Sequence, residues 1–204
     1  MKQLMLAVLL FVSAWGSFTH AEQSDVFTSP TAGFKVTKPI GWHYVTAAQN
    51  LENLKATKLN DQEFQAAMLR YATAPLVAMT KFPEPYDDLN PSFKVNIKPF
   101  GQLKGKAATD IIGLILPQFQ KAFKDFKLVQ PPTEVEIAGI KSGHARINYS
   151  LQTPDGSLFP TTSELWIVPR GDYFFILGAG TRQDEKTGSR KEIANIIRSV
   201  KIEQ

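Results

Sequence analysis

The sequence predicts an α+β fold in which helices cover both faces of a largely antiparallel sheet. Residues in the second half alternate between apolar and polar over several stretches, which is the pattern of strands with one buried face. Residues 173–181 are instead apolar on both faces, so they indicate a strand that is covered on both sides. Apolar stripes of helical period in 107–123 and 189–200 supply the covering helices.

Strong local signals place the individual elements in order. Short alternating or apolar runs bounded by Gly, Pro and Asn predict the strands, and capping boxes at Thr46 and Ser189 predict two helix starts. The expected strands are 33–38, 42–46, 75–82, 92–99, 127–130, 134–137, 144–152, 158–168 and 173–181. The expected helices are two pieces within 48–72, one over 107–123 and one that begins near 189. The first two strands meet at Pro39 and Gly41, either as a hairpin or as a sharp corner.

Composition sets the broad class. The chain has 204 residues, of which 43% are hydrophobic and 21% charged, and it contains no cysteine. These values exclude a disulfide scaffold, a thiol enzyme, a cysteine-based zinc module and a disordered chain. The net charge of +4 is mild. Lys94, Lys98, Lys104 and Lys106 alternate with apolar residues, so we expect a solvated face there and no nucleic-acid partner.

The first residues have the features of an export signal. Lys2 gives a positive start, residues 4–12 are almost wholly apolar, and Ala21 is a small residue at a cleavage position. The apolar run is too short to span a membrane, and no later run is long enough. We therefore expect a signal peptide over 1–21 and a single domain over 22–204, located in the bacterial periplasm or secreted.

A tight turn fixes the register of two strands. Gly156 suits the left-handed position of a three-residue loop after 144–152, and the strand 158–168 follows it. The resulting cross-strand pairs are Leu151 with Phe159, Ala145 with Leu165, Arg146 with Glu164, and His144 with Trp166.

Four of these residues form the candidate ligand site. Arg146, Glu164, His144 and Trp166 share one sheet face, so a charged pair beside an aromatic ring could line a recess for a small polar ligand. The chain would then be a small-ligand carrier or a weak hydrolase. The alternative, which we favour, is that Arg146 and Glu164 are a structural cross-strand pair worth ~0.2 to 1 kcal/mol.

The remaining motifs do not indicate catalysis. The sequence has no H-E-x-x-H pair and no G-x-S-x-G elbow. Residues 101–107 lack the glycine spacing and the hydroxyl of a phosphate-binding loop. Glu84, Asp87 and Asp88 offer oxygens to a cation such as calcium, but without the Gly and closing Glu of an EF-hand, so a solvated loop is expected. We expect no catalytic residues, no metal and no cofactor.

Two segments match a known family pattern. In the run Gly-Phe-Lys-Val-Thr-Lys-Pro-Ile-Gly-Trp, Pro39, Gly41 and Trp42 match a Pro-x-x-Trp corner, and Arg-Ser-Val at 198–200 matches a closing segment. Over residues 26–202 the chain resembles the PsbP-like superfamily. Its members include the extrinsic subunit of the photosynthetic oxygen-evolving complex, a nuclear Ran-binding factor and bacterial exported proteins.

The resemblance carries expectations of fold and function. It implies a three-layer α/β/α sandwich around a twisted, largely antiparallel sheet. It implies no shared catalysis, because the family consists mostly of accessory and binding proteins. We therefore expect an exported, non-catalytic accessory protein that binds a periplasmic protein or an envelope component.

Overall fold

The computed structural model describes residues 25–56, 61–70, 74–152 and 156–203. The expected signal peptide and its cleavage position lie outside these residues. Within the described ranges, no helix combines the length and the hydropathy that a membrane crossing requires.

The elements follow the expected order. In the described part of the chain, the strands are β1 (Val26–Ser29), β2 (Phe34–Thr37), β3 (His43–Tyr44), β4 (Val77–Thr80), β5 (Ser92–Pro99), β6 (Lys124–Ile137), β7 (Ile140–Gln152), β8 (Leu158–Arg170), β9 (Tyr173–Arg182) and β10 (Lys201–Ile202). The helices are α1 (Ala47–Ala56), α2 (Gln62–Arg70), α3 (Ala108–Ala122) and α4 (Arg190–Ser199), with one 3-10 turn at Gly101–Leu103.

The strands form two sheets. The large sheet has the order β3-β4-β5-β9-β8-β7-β6, and the small sheet has the order β1-β2-β10. Each neighbouring pair is antiparallel, which confirms the expected sheet type. The long strands β7, β8 and β9 are interior strands of the large sheet and form most of its paired residues.

Helices cover both faces of the large sheet. On one face, called here the α3 face, Ile111 and Ile112 of α3 pack with Phe174 in a buried cluster. On the opposite face, called here the α4 face, Ile193 and Ile196 of α4 join the small sheet over a larger apolar core. The expected α+β sandwich of three layers is therefore confirmed.

The start of α3 lies almost on the backbone of β7. A Cβ atom added to Gly143 would come within 2.8 Å of the carbonyl carbon of Ala108, a distance that packed atoms do not adopt. Only glycine allows this approach, since it places no atom between helix and strand. The contact fixes the N-terminal end of α3 against the sheet.

The chain turns a corner after β2 rather than forming a hairpin. Strand β2 belongs to the small sheet and β3 to the large one. Gly41 has a positive φ of 79°, and Trp42 is buried with 2% exposure in the α4-face core. The Trp42 indole Nε1 donates a hydrogen bond to Glu192 of α4 at 3.3 Å. The corner thus ties the two sheets to α4.

The two expected capping boxes have different outcomes. At the start of α1, the Gln49 amide donates to Thr46 Oγ1 at 3.2 Å and the Thr46 amide donates to Gln49 Oε1 at 2.9 Å, so this box is confirmed. Helix α4 begins where expected, but the Ser189 side chain makes no capping hydrogen bond. Lys81 donates to both Ser189 Oγ and Glu192 Oε2, at 3.2 and 2.7 Å, and so occupies the groups that a box would use.

The two short strands expected at 127–130 and 134–137 are one irregular strand. β6 runs along the edge of the large sheet, and its register against β7 shifts between Gln130 and Thr133. Pro131 and Pro132 lie at this shift and have no amide hydrogen to donate to the ladder. An edge strand tolerates this loss because one side of its backbone is already unpaired.

Candidate functional site

The predicted register of β7 and β8 is confirmed. Arg146 lies opposite Glu164, His144 opposite Trp166, and Leu151 opposite Phe159. The four candidate ligand residues therefore share one sheet face, the α4 face.

The imidazole of His144 contacts two other members of this group, Trp166 and Glu164. Its ring stacks on Trp166 with centroids 4.7 Å apart and planes 4° apart. Nε2 lies 2.8 Å from Glu164 Oε2, and Gln130 donates its amide to Nδ1 at 3.1 Å. These contacts fit the neutral tautomer with the proton on Nε2. The side chains of His144 and Glu164 are only 12% and 13% exposed.

The expected Arg146–Glu164 ion pair is not formed. Glu164 bonds instead to His144, whose ring is already oriented by Trp166 and Gln130 and therefore loses little freedom in the contact. Arg146 is half-buried, and its Nε atom is buried without a hydrogen-bond partner among the described residues. The cross-strand neighbours are as predicted, but Glu164 bonds to His144 and not to Arg146.

The geometry offers no hydrolytic pair at this position. Both ring nitrogens of His144 are engaged, by Gln130 and Glu164, so neither faces a hydroxyl. The nearby Thr162 Oγ1 donates to Asn148 Oδ1 at 2.8 Å. The polar groups of this face mostly satisfy one another.

A cleft of about 450 Å³ opens on the other side of the sheet, on the α3 face. Its floor is formed by β5, β9, β8 and β7, and its wall is the C-terminal half of α3. The main apolar lining residues are Leu116, Phe119, Phe123, Ile147, Leu151, Leu165 and Ile176. This floor is the face opposite to the one that carries His144 and Glu164.

Missing side chains in β9 create the cleft. Gly178 and Gly180 lie on its floor, where the strand would otherwise present two side chains to α3. A Cβ atom built on Gly178 meets nothing within 4 Å, so the space above it is empty. A glycine inside a strand often marks close approach by another group. Here the space is left open.

Polar side chains occupy the β5 edge of the floor. Ser92, Lys94 and Asn96 alternate along β5 and all line the cleft. Lys94 lies opposite Gly178 in the ladder. The expectation that Lys94 belongs to a solvated face was wrong. Burial lowers the pKa of its amine, and within the described ranges it has no hydrogen-bond or ion-pair partner.

Aromatic side chains close the opposite end, at β7. The rings of Phe123 and Tyr149 stack with centroids 3.9 Å apart and planes 11° apart. The Tyr149 hydroxyl and Ser163 Oγ are hydrogen-bonded at 2.9 Å, and burial raises the pKa of this phenol. Its polar end is therefore satisfied, and the end wall presents ring surface to the cleft.

Sequence reasoning missed this cleft, although one signal was available. The Gly-Ala-Gly run at 178–180 interrupts an otherwise bulky apolar strand. Gly180 and Gly178 remove side-chain volume directly opposite Ser92 and Lys94 of β5. Periodicity alone could not show that the helix above would leave the space unfilled.

The acidic loop between β4 and β5 uses its carboxylates internally. Glu84 Oε1 accepts from Asn90 at 2.8 Å, and Asp88 Oδ1 pairs with Arg182 at 2.5 Å. No group of three or more His, Cys, Asp or Glu side chains in the described part of the chain has the geometry to hold a metal ion.

Comparisons with known proteins give matches of fold only. No protein-family model and no curated protein sequence matches the chain. A protein of Bacteroides thetaiotaomicron is 19% identical with a TM-score of 0.45, and the match covers 89% of this chain but only 49% of that one. LpqN of Mycobacterium tuberculosis, involved in cell envelope biogenesis, is 13% identical with a TM-score of 0.49, over 91% of this chain and 88% of that one.

A cyanobacterial PsbP also matches in fold, over nearly the whole of both chains. The Synechocystis protein is 11% identical with a TM-score of 0.51, and the match covers 93% of this chain and 99% of that one. At this identity the similarity concerns the fold and not the activity. The chain therefore has a PsbP-like fold, as the sequence resemblance implied.

Proposed function

We propose that this protein is an exported, non-catalytic accessory protein that binds an apolar group of its ligand in the cleft on the α3 face. The cleft itself carries the proposal. Its volume of about 450 Å³ falls within the range of ligand sites, and it combines an apolar lining with a few convergent polar groups. Export is supported by the charged start and apolar run of the first 21 residues.

The chemistry of the lining favours binding over turnover. Hydrolysis needs a nucleophile beside a base, with donors for the developing charge. Of the titratable residues along the described part of the cleft, Lys94 and Tyr149 lie at opposite ends, and the Tyr149 hydroxyl is bonded to Ser163. Glu164 also borders the cleft, but its carboxylate bonds to His144.

Filling the cleft tests the proposal. Gly178→Leu places a side chain in the empty space without a backbone penalty, since Gly178 does not have a positive φ. The matched control is Gly113→Leu on the exposed side of α3, where an added Cβ also meets nothing. Fluorescence of the apolar dye N-phenylnaphthylamine should rise with the wild type and the control and should be lost with Gly178→Leu.

Two results of that titration would contradict the proposal. The wild type could fail to enhance the dye, or Gly178→Leu could bind it as well as Gly113→Leu does. Circular dichroism and the melting temperature of each variant show that any loss of binding occurs in a folded protein.

One observation favours a second candidate function, a carrier for small anions on the α4 face. The buried Nε of Arg146 has no partner in the described ranges, next to the group formed by His144, Glu164 and Trp166. A carboxylate ligand would satisfy it. A thermal-shift screen with small dicarboxylates should show stabilisation of the wild type, about 2.7 kcal/mol at 100 times the dissociation constant, and none in Arg146→Gln. Absence of any shift in the wild type removes this candidate.

A further inference from the structure

We propose that the ligand of the α3-face cleft is a single-chain amphiphile with a carboxylate head group, such as a fatty acid. Its head would lie at Lys94 and its hydrocarbon chain would extend toward Phe123 and Tyr149. This inference rests on the proposed function, because it names the ligand class of the same cleft.

The cleft has a polar end and an apolar end. Ser92, Lys94 and Asn96 lie on β5, whereas Phe123 and Tyr149 close the cleft at β7. The strand order β5-β9-β8-β7 puts three strand spacings between these ends, or about 14 Å. The space is therefore elongated and changes from polar to apolar along its length. An extended amphiphile changes in the same way, from its head group to its hydrocarbon chain.

The charge at the polar end selects an anionic head. Lys94 is partly buried, and this burial lowers the pKa of its amine because the ammonium form loses hydration. The described residues provide no carboxylate to compensate that loss. A ligand carboxylate would form an ion pair with Lys94, and solvent would screen that pair only weakly because the amine is partly buried. An alcohol would bring no charge, and a protonated amine would be repelled.

The neighbours of Lys94 leave room for that head. Gly178 lies directly opposite Lys94 in the ladder and has empty space above it. Ser92 and Asn96 flank the lysine on the same face of β5, and neither side chain has a hydrogen-bond partner within the described ranges. Their hydroxyl and amide groups can donate to the second carboxylate oxygen.

The test compares ligands that differ only in the head group. Dodecanoic acid and dodecanol are titrated by calorimetry into the full-length protein and into Lys94→Met, which keeps the length and apolar stem of lysine. The matched control is Lys98→Met, which removes the same charge from the same strand outside the cleft lining. The wild type and the control should bind the acid about tenfold or more tightly than the alcohol, and Lys94→Met should lose that preference while its affinity for the alcohol is unchanged.

The outcomes separate this inference from the proposed function. Equal affinity of the wild type for acid and alcohol overturns the carboxylate assignment and leaves an apolar binding cleft. A preference that survives in Lys94→Met overturns it as well. If neither ligand binds and the dye also fails, both proposals fall. The melting temperature of Lys94→Met should not fall, since the substitution removes a partly buried amine that has no partner within the described ranges. A lost preference would then reflect binding and not unfolding.

Discussion

Glu192 on α4 accepts hydrogen bonds from side chains far away in the sequence. Lys81 Nζ donates to Oε2 at 2.7 Å, and Trp42 Nε1 donates to Oε1 at 3.3 Å. Partial burial by itself raises the pKa of this carboxyl, but the hydrogen bonds from Lys81, Ser189 and Trp42 outweigh it, and the net effect lowers the pKa. The charged form of Glu192 therefore links α4 to β4 and to the corner after β2.

Removing that charge should cost stability in a pH-dependent way. A carboxyl whose pKa is lower in the folded state stabilises the fold above its ordinary pKa, and the contribution is lost as the pH falls through the folded value. Glu192→Gln should unfold about 1 kcal/mol more easily at neutral pH, a modest value because the pair is one third exposed. Urea denaturation from about pH 7 to pH 3 should show the difference shrinking with acidity. A difference independent of pH would contradict this account.

Helix α3 is the element that forms the cleft, because its two ends meet the sheet differently. At its start, the backbone of Ala108 lies against Gly143, and Ile111 and Ile112 are buried beside it. Toward its end, Leu116 and Phe119 face the empty space above Gly178. One end is closely packed and the other leaves a cleft.

Two glycine substitutions on the same sheet face should therefore differ. Gly143→Ala forces a Cβ atom to within 2.8 Å of the helix backbone, so it should destabilise the protein by about 1 to 3 kcal/mol through overpacking. Gly178→Ala adds the same methyl group where nothing lies within 4 Å and should cost nothing measurable. Urea unfolding of both variants measures the contrast. Equal losses would show that α3 packs uniformly along its length.

Local chemistry determined how well each element could be predicted. Turn geometry at Gly156 predicted the β7–β8 register because the period of two in a strand propagates one correct pair along the whole ladder. The capping box at Thr46 was correct because its partners are three residues apart. The box at Ser189 was not, since Lys81, 108 residues away in the chain, takes its groups. Contacts of that kind are not visible in a local pattern.

At the scale of the whole molecule, the layers were predictable and the cleft was not. Hydrophobic periodicity shows which side chains share a face, so His144, Arg146, Glu164 and Trp166 were grouped correctly. It does not show which face is fully packed. The packing of a face depends on the fit between α3 and β9. Because β9 has glycines at this position, the open space lies on the α3 face, opposite the face that carries His144.

The export prediction applies to the chain as a whole. The apolar run at 4–12 and the small residue at Ala21 predict cleavage before Glu22 in a bacterial host. Cell fractionation and mass spectrometry should find the protein in the periplasmic fraction or the medium with Glu22 at its N-terminus. Full-length chain confined to the cytoplasm would be incompatible with an exported accessory role.

If the cleft on the α3 face binds an apolar chain, an amide NMR titration with dodecanoic acid should show this at individual residues. The amide signals of Gly178 and Gly180, on the cleft floor, should shift with ligand concentration. The signals of Gly171, in the turn before β9, and of Gly33, beside Arg170, should stay in place. Shifts confined to residues of the α4 face, or no shifts at saturating ligand, would show that the cleft does not bind the chain.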